Sequence, residues 1–134
     1  MFENMENRYR VLLLEDEPTI GRATSRILLT EGFDVDIAIN GLIAKDKIDA
    51  DDNYEFFIFD IKTPIMNGIQ LYEYLEHAYP ELLDRVIFIS GDSLGEVTRD
   101  FLERVKRPML SKPYTPTQLV AFVREVFGVR ALYP

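Results

Sequence analysis

Three short apolar runs constrain the fold of this 134-residue chain more than any other feature. They occupy residues 11–14, 56–59 and 86–89, and each one stops abruptly at a polar or acidic residue. An unbroken apolar run of this length is typical of a strand that is buried on both faces, as in a parallel sheet. The runs therefore predict the central strands of such a sheet.

Weaker patterns at residues 35–39 and 109–111 predict two further strands, and helical patterns fill the intervals between strands. Pro18 suits the first position of the first helix and Gly32 its end, and residues 41–49 form the second predicted helix. Asn67 is a predicted cap for the third helix. Capping boxes at Ser93 with Glu96 and at Thr115 with Gln118 predict the starts of the fourth and fifth helices, with Pro116 at the first position of the fifth. Five strands alternating with five helices predict an α/β fold, with helices on both faces of a parallel sheet.

Composition excludes several classes of protein. The chain has no cysteine, which rules out a disulfide scaffold and a thiolate zinc site. A net charge of −8 argues against general nucleic-acid binding. No apolar run approaches the roughly 18 residues of a membrane span, and the first ten residues lack the apolar core of a signal peptide. We therefore expect a single cytoplasmic domain with no direct membrane or nucleic-acid partner.

Polar side chains follow four of the predicted strands, and these residues are the candidates for chemistry. Glu15 and Asp16 follow the first strand, Asp60 the third, Ser90 the fourth and Lys112 the fifth. In open α/β sheets, ligands bind outside the carboxyl ends of the strands. Three crowded carboxylates need a cation, and an all-oxygen donor set favours Mg²⁺. Mg²⁺ beside an aspartate, a lysine and a hydroxyl is typical of phosphoryl transfer.

Each of these residues also has a purely structural interpretation when it is taken alone. An acid after a strand is usually a helix cap or a loop residue, and a single lysine or serine is usually a surface or turn residue. Five such residues at one end of different elements are much less easily explained by chance. The acidic stretch 49–53 and the lone His77 carry no such pattern, and we interpret them as a solvated turn and a surface histidine.

The sequence resembles the receiver domain of two-component response regulators. The matching segments are residues 11–18, 59–68, 89–91 and 110–114, which read VLLLEDEP, FDIKTPIMNG, ISG and LSKPY. Receivers of hybrid sensor kinases and stand-alone single-domain regulators share this pattern. The resemblance implies a three-layer flavodoxin-like (βα)5 fold with strand order 2-1-3-4-5. It also divides the chain into an N-terminal extension (1–8), a receiver domain (9–128) and a C-terminal tail (129–134).

The resemblance further implies a role for each candidate residue. Asp60 would be the phosphoacceptor, and Ser90 and Lys112 would contact the phosphoryl oxygens. Lys112 would also pair with Asp60 before phosphorylation. The Mg²⁺ ligands would be Asp16, Asp60 and the backbone carbonyl of Lys62, with Glu15 holding the ion through water.

The implied partner is a protein that carries a phosphohistidine, either a sensor histidine kinase or a histidine phosphotransfer domain. Docking would occur beside the phosphorylation edge, largely through the first helix, where Arg22 and Arg26 lie one turn apart. A homodimer through the fourth helix, fifth strand and fifth helix is a further expectation. Such a domain would catalyse only its own phosphorylation and dephosphorylation, so we do not expect an enzyme with a separate substrate.

Two features depart from the usual receiver pattern. Met109 stands three residues before the lysine, where receivers usually carry a tyrosine or phenylalanine that acts as a rotamer switch. Lys62 and Asp92 each lie two residues after a site residue, and we hypothesise that they form a salt-bridge lid that influences the phosphoryl lifetime. Two unrelated surface charges explain them equally well.

Two other functions compete with the phosphoacceptor interpretation. A haloacid-dehalogenase-type phosphatase also uses an aspartate after a strand together with Mg²⁺ and a lysine, but it normally needs a second aspartate where this chain has Lys62. A receiver-like interaction module that is not phosphorylated is the second alternative. The residue types at all five site positions argue against it, and only Met109 supports it.

Overall fold

The computed structural model describes residues 8–91 and 95–128. Within these ranges five strands and five α-helices alternate, and one 3₁₀ helix, Pro80–Arg85, precedes the fourth strand. The strands are β1 (Tyr9–Leu14), β2 (Phe33–Ala38), β3 (Phe56–Asp60), β4 (Val86–Ser90) and β5 (Met109–Ser111). The helices are α1 (Pro18–Thr30), α2 (Gly41–Ala50), α3 (Gly68–Ala78), α4 (Glu96–Val105) and α5 (Pro116–Phe127).

All strand pairs are parallel, and the sheet order is β2-β1-β3-β4-β5. The predicted flavodoxin-like α/β fold is therefore confirmed. The chain reverses direction across the sheet between β1 and β3, which lie next to each other although β2 separates them in sequence. That neighbouring pair marks the switch point at which ligands bind in open α/β sheets.

Two apolar cores explain why the strand sequences are apolar without alternation. Leu12, Leu14 and Phe59 face the side covered by α2, α3 and α4, whereas Leu13 and Ile58 face the side covered by α1 and α5. Successive side chains of a strand point to opposite faces, so a strand covered on both faces must be apolar at every position. The coverage of the sheet on both faces explains why unbroken apolar runs correctly predicted its central strands.

Two of the three predicted capping signals are found at helix starts. Asn67 with Gln70 and Thr115 with Gln118 each form a reciprocal capping box. The third prediction is wrong, because α4 begins at Glu96 after Gly95, which makes no side-chain cap hydrogen bond. Ser93, the predicted cap, lies outside the described residues.

The acidic stretch 49–53 is more than the predicted solvated turn. Asp49 is the penultimate residue of α2, and its Oδ1 accepts hydrogen bonds from the hydroxyls of Tyr74 (2.6 Å) and Tyr79 (2.8 Å). Lys45 donates to its other carboxylate oxygen at 3.0 Å. These bonds hold α2 against the end of α3, and Asp51 pairs with Arg10 of β1.

Candidate functional site

The candidate residues gather at the carboxyl edge of the sheet because hydrogen bonds continue the strand pairing beyond the strand ends. The Glu15 amide donates to the Ala38 carbonyl (3.0 Å), and the Lys112 amide donates to the Ser90 carbonyl (2.7 Å). Asp60 is itself the last residue of β3 and pairs in register with Ile89. The sheet therefore sets the relative positions of the acids, the hydroxyl and the lysine.

The ammonium of Lys112 joins two carboxylates. Its Nζ lies 2.6 Å from Oδ2 of Asp60 and 2.6 Å from Oε1 of Glu15. The Glu15 side chain is 0% exposed and that of Asp60 is 5% exposed, against 18% for Lys112. Charges this deeply buried must be paired, and one lysine here neutralises part of the charge of both acids.

The remaining carboxylate oxygens accept hydrogen bonds from the backbone. Oδ1 of Asp60 accepts from the Lys62 amide at 3.0 Å, and Oε2 of Glu15 accepts from the Glu17 amide at 3.1 Å. Each acid is therefore fixed both by the lysine and by the loop that follows its own strand. Such support limits the rotation of a side chain that must present an oxygen in one direction.

Burial and pairing shift the pKa values of this cluster. Burial raises the pKa of the Glu15 carboxyl above its ordinary value, although the hydrogen bonds from Lys112 and from the Glu17 amide oppose this shift. Burial alone would lower the pKa of the Lys112 ammonium. The hydrogen bonds to Asp60 and Glu15 outweigh that effect and raise the pKa of Lys112, so this side chain is a cation at neutral pH.

Three acids could hold a metal ion together. Glu15, Asp16 and Asp60 each offer a carboxylate oxygen, and these oxygens lie within 4.8 Å of one another. Hard oxygen donors of this kind suit Mg²⁺, which binds through few carboxylates and retains several waters. Lys62 lies two residues beyond the end of β3 and offers a backbone carbonyl in the adjoining loop. The donor set fits the ion that the sequence predicts.

The hydroxyl of Ser90 is buried and has no hydrogen-bond partner among the described residues. The residue is only 1% exposed and closes β4 next to Asp60 of β3. A buried polar group without a partner costs about 1–3 kcal/mol, so its retention calls for an explanation. A negatively charged oxygen bound at this edge would supply the missing acceptor.

A groove lies beside this edge, with α1 on one side and, on the other, the segment that joins β5 to α5 and then α5 itself. Its volume is about 570–630 Å³ in each of two neighbouring parts, which share Ile27 and Pro116. The part next to the site is lined by Ile20, Ala23 and Lys112 among others.

The hydroxyls of Thr24 and Tyr114 lie 2.8 Å apart and connect α1 to the segment between β5 and α5. The exposed Arg26 lines the distal part, and Arg22 is also exposed on α1.

The other residues of interest take different positions. Met109 is half-buried, pairs in register with Phe88 and packs on the core under α3 and α4. The Lys62 side chain is exposed, whereas Asp92 lies outside the described residues, so the lid stays a prediction. His77 is exposed on α3, in agreement with its interpretation as a surface residue.

Sequence reasoning missed one contact of the site, the pairing of Glu15 with Lys112. The sequence indicated that both residues would lie at the same edge, but not that a single ammonium would contact two acids. The extra methylene of glutamate relative to aspartate was the only available signal, since a longer side chain reaches farther across the edge.

The molecule is a doubly wound α/β domain. At the switch point of its sheet, a site of acidic residues contains two carboxylates that pair with Lys112. The sequence matches the profile of the response regulator receiver domain over residues 11–124. The chain belongs to the response regulator receiver family. Domains of this family work in two-component signalling together with sensor kinases or phosphotransfer proteins.

Several curated proteins are similar to the chain. It is 31% identical over 123 residues to the probable transcriptional regulator ycf29 of Porphyra purpurea, covering 88% of this chain and 56% of that protein. It is also 31% identical over 118 residues to the transcriptional regulatory protein PcoR of Escherichia coli, covering 86% and 50%. The sensor kinase CckA of Brucella abortus is 28% identical over 117 residues, covering 87% and 12%. The chain thus spans about half the length of the first two proteins and a small part of the third.

Solved structures share the same fold. A CheY-like response regulator receiver domain from Methanospirillum hungatei superposes with a TM-score of 0.79 at 26% identity, covering 91% of this chain and 95% of that one. A putative response regulator from Chloroflexus aurantiacus gives a TM-score of 0.78 at 18% identity, covering 92% and 100%. Among the described residues, no helix is long and apolar enough to cross a membrane.

Proposed function

We propose that this domain accepts a phosphoryl group on Asp60 from a phosphohistidine of a partner protein, in a reaction that requires Mg²⁺. The observation that carries the proposal is the Lys112 ammonium held 2.6 Å from Oδ2 of Asp60, next to the buried Ser90 hydroxyl that no described residue satisfies. An aspartate carboxylate is a suitable nucleophile for phosphoryl transfer, and the paired ammonium places positive charge beside the oxygen that would attack.

The reaction forms one bond and breaks one. A carboxylate oxygen of Asp60 attacks phosphorus, the P–N bond to the donor imidazole breaks, and its electron pair returns to the imidazole. Bound Mg²⁺ supplies positive charge to the phosphoryl oxygens. Glu15, Asp16, Asp60 and the Lys62 carbonyl would hold it.

Lys112 and Ser90 act on the phosphoryl oxygens. As Asp60 becomes an acyl phosphate, the ammonium of Lys112 moves its contact from the carboxylate to an oxygen of the new group. The hydroxyl of Ser90 donates a hydrogen bond to another phosphoryl oxygen, which supplies the acceptor that this hydroxyl otherwise lacks. Both contacts strengthen as negative charge accumulates, which favours the transition state over the unmodified acid.

The donor reaches Asp60 from the side of the groove between α1 and the β5–α5 segment. Asp60 is 3% exposed, so a donor imidazole must approach closely along the edge. The groove is largely apolar and borders Lys112, and the exposed Arg22 and Arg26 offer positive charge along α1. A helix with an apolar stripe and flanking acids, carrying the phosphohistidine, fits this surface.

The broader assignments follow from the same role. We assign residues 9–128 to the receiver domain, with flanking segments 1–8 and 129–134, and a cytoplasmic location. The domain turns over no separate substrate. We further propose a homodimer through α4, β5 and α5 as a candidate output state, for which the 77% exposed Val97 of α4 offers an apolar contact.

The test is intact-mass measurement after incubation with acetyl phosphate, with and without Mg²⁺. We expect the mass of one phosphoryl group, only with Mg²⁺ and not in Asp60→Asn. Asp84→Asn, which changes an exposed aspartate in the 3₁₀ helix, is the matched control and should behave like the wild type.

Several results would contradict the proposal. A phosphoryl group gained by Asp60→Asn would move the acceptor to another residue. No gain under any condition, together with no transfer from phosphorylated histidine phosphotransfer domains, would leave an interaction module. Steady release of phosphate from generic phosphomonoesters would indicate a haloacid-dehalogenase-type phosphatase, which the exposed Lys62 in place of a second aspartate disfavours.

A further inference from the structure

The segment that follows the acceptor, residues 61–67, is held in place by two glycines outside it. The amide of Gly41, at the start of α2, donates a hydrogen bond to the Met66 carbonyl at 2.7 Å. A β-carbon on residue 41 would lie 2.2 Å from that carbonyl oxygen. No side chain larger than hydrogen fits there unless the backbone of one loop moves.

The second glycine closes the other end of the same segment. A β-carbon on Gly68 would lie 2.4 Å from the carbonyl oxygen of Asp60 and 3.1 Å from its carbonyl carbon. The amide of Gly68 also donates to the Ile61 carbonyl at 3.3 Å. The first turn of α3 is thereby packed directly on the backbone of the acceptor.

The segment in turn holds the acceptor carboxylate. The amide of Lys62 donates to Oδ1 of Asp60 at 3.0 Å, and the Thr63 hydroxyl donates to the Met66 carbonyl at 2.9 Å. The Met66 carbonyl therefore accepts two hydrogen bonds, one from within the segment and one from Gly41. A displacement of Met66 would therefore shift the segment that carries the Lys62 amide bonded to Asp60.

We propose that Gly41 is a positioning residue for the phosphoacceptor site, although its hydrogen bond is to Met66 and not to a proposed site residue. By allowing the close approach to Met66, it fixes the segment that presents the Lys62 amide to Asp60 and the Lys62 carbonyl to the metal position. This inference rests on the proposed function, since it assigns Gly41 a role in that same site. Outer contacts of this kind commonly change metal affinity about 10-fold or more.

The experiment compares Gly41→Ala with Gly95→Ala. Gly95 is exposed, and a β-carbon there would meet no described atom within 4 Å, so this variant controls for the glycine-to-alanine change itself. We expect Gly41→Ala to raise the Mg²⁺ dissociation constant about 10-fold by calorimetry. It should also move the Lys62 amide resonance in a ¹⁵N spectrum. Gly95→Ala should leave both unchanged.

A second variant covers the case in which Gly41→Ala does not fold. Thr63→Val removes the other hydrogen bond to the Met66 carbonyl without adding a clash at residue 41, and it should move the same two readouts in the same direction. A folded Gly41→Ala with the wild-type dissociation constant and Lys62 resonance would overturn the inference. Wild-type values for Thr63→Val would overturn it where Gly41→Ala is unfolded.

Measurements on the wild-type chain distinguish a failure of the proposed phosphoacceptor function from a failure of the inference on Gly41. A wild-type chain that binds Mg²⁺ but gains no phosphoryl group contradicts the phosphoacceptor role while leaving the positioning role of Gly41 measurable. A wild-type chain that is phosphorylated, with Gly41→Ala equal to it in both readouts, contradicts only the inference on Gly41. Absence of Mg²⁺ binding by the wild type would overturn both.

Discussion

The ammonium of Lys112 lies 2.6 Å from Oδ2 of Asp60, and this contact joins the last strand of the sheet to its centre. The same ammonium contacts Glu15, whose side chain is fully buried. Without the lysine, two buried carboxylates would face each other with no cation between them. The stability of the domain therefore depends on the residues that we assign to its chemistry.

Lys112→Gln should lower the free energy of unfolding by about 2 kcal/mol in the absence of Mg²⁺, because it leaves buried carboxylates unpaired. Adding Asp60→Asn to this variant should restore part of the loss, since only one buried charge then remains. Urea unfolding of both single variants and the double variant forms the required thermodynamic cycle. Strict additivity would show that Asp60 and Lys112 do not interact.

Ser90→Ala should slow phosphorylation without lowering the free energy of unfolding. The hydroxyl has no partner among the described residues, so its removal should leave the free energy of unfolding unchanged or raise it by up to about 1 kcal/mol. Phosphorylation by acetyl phosphate should slow by at least about tenfold, because a donor to the phosphoryl oxygens is lost. Ser111→Ala, on the exposed end of β5, is the control. Equal rates for both variants would contradict the role of Ser90.

The ion pair between α3 and α4 should give a pH-dependent contribution to stability. Arg104 donates to both carboxylate oxygens of Glu76, at 2.8 and 3.1 Å, and this hydrogen bonding lowers the pKa of Glu76 below its ordinary value of 4.5. A lowered pKa means that the stabilisation is present above pH 4.5 and is lost as the pH falls through the folded-state pKa.

Glu76→Gln should therefore cost about 0.5 kcal/mol at neutral pH, a small value because Arg104 is half exposed, and clearly less at a pH below the folded-state pKa of Glu76. Urea unfolding at the two pH values measures the difference. Glu125→Gln, an exposed glutamate of α5, is the control and should show no such change. A cost for Glu76→Gln that is independent of pH would contradict the ion-pair explanation.

Ile65 offers a test of backbone strain in the loop after the acceptor. Its φ is +70°, in the left-handed region that β-branched residues avoid, and its side chain is 75% exposed. Ile65→Gly removes a strain of about 1 kcal/mol and loses little burial, so we expect thermal stability to be maintained or to rise.

The control for this change is Ile39→Gly, which alters another exposed isoleucine whose φ is not positive. It relieves no strain and adds freedom to the unfolded chain, so it should lower the melting temperature. Thermal unfolding followed by circular dichroism compares the two variants. A large loss of stability in Ile65→Gly would show that its side chain stabilises the loop.

The sequence was sufficient to predict the sheet and the edge that carries the site. Apolar runs such as residues 11–14 are covered on both faces, and this leaves a local signal that ends sharply at Glu15. Capping at Asn67 and Thr115 was also predictable, because the reciprocal bonds join residues only three positions apart. Features that depend on residues close together in the sequence, such as these strands and helix caps, could be predicted from it.

Contacts between distant elements were not predictable in this way. Asp49 accepts hydrogen bonds from Tyr74 and Tyr79, and nothing in the acidic stretch around it distinguishes it from a solvated turn. The start of α4 after Gly95 and the close approach of Gly41 to Met66 depend equally on how loops pack. Such features are decided by tertiary geometry rather than by local pattern.

The side chain of Lys112 reaches Glu15 across the edge of the sheet, although β3 and β4 separate their strands and most of the chain lies between them in sequence. A nascent chain that has emerged as far as Ser90 already holds every carboxylate of the edge but has neither Lys112 nor the fifth strand. A chain of that length lacks the ammonium that pairs with the two buried carboxylates, Glu15 and Asp60. The pairing of Asp60 with Lys112 can therefore form only after the last strand of the sheet has been synthesised.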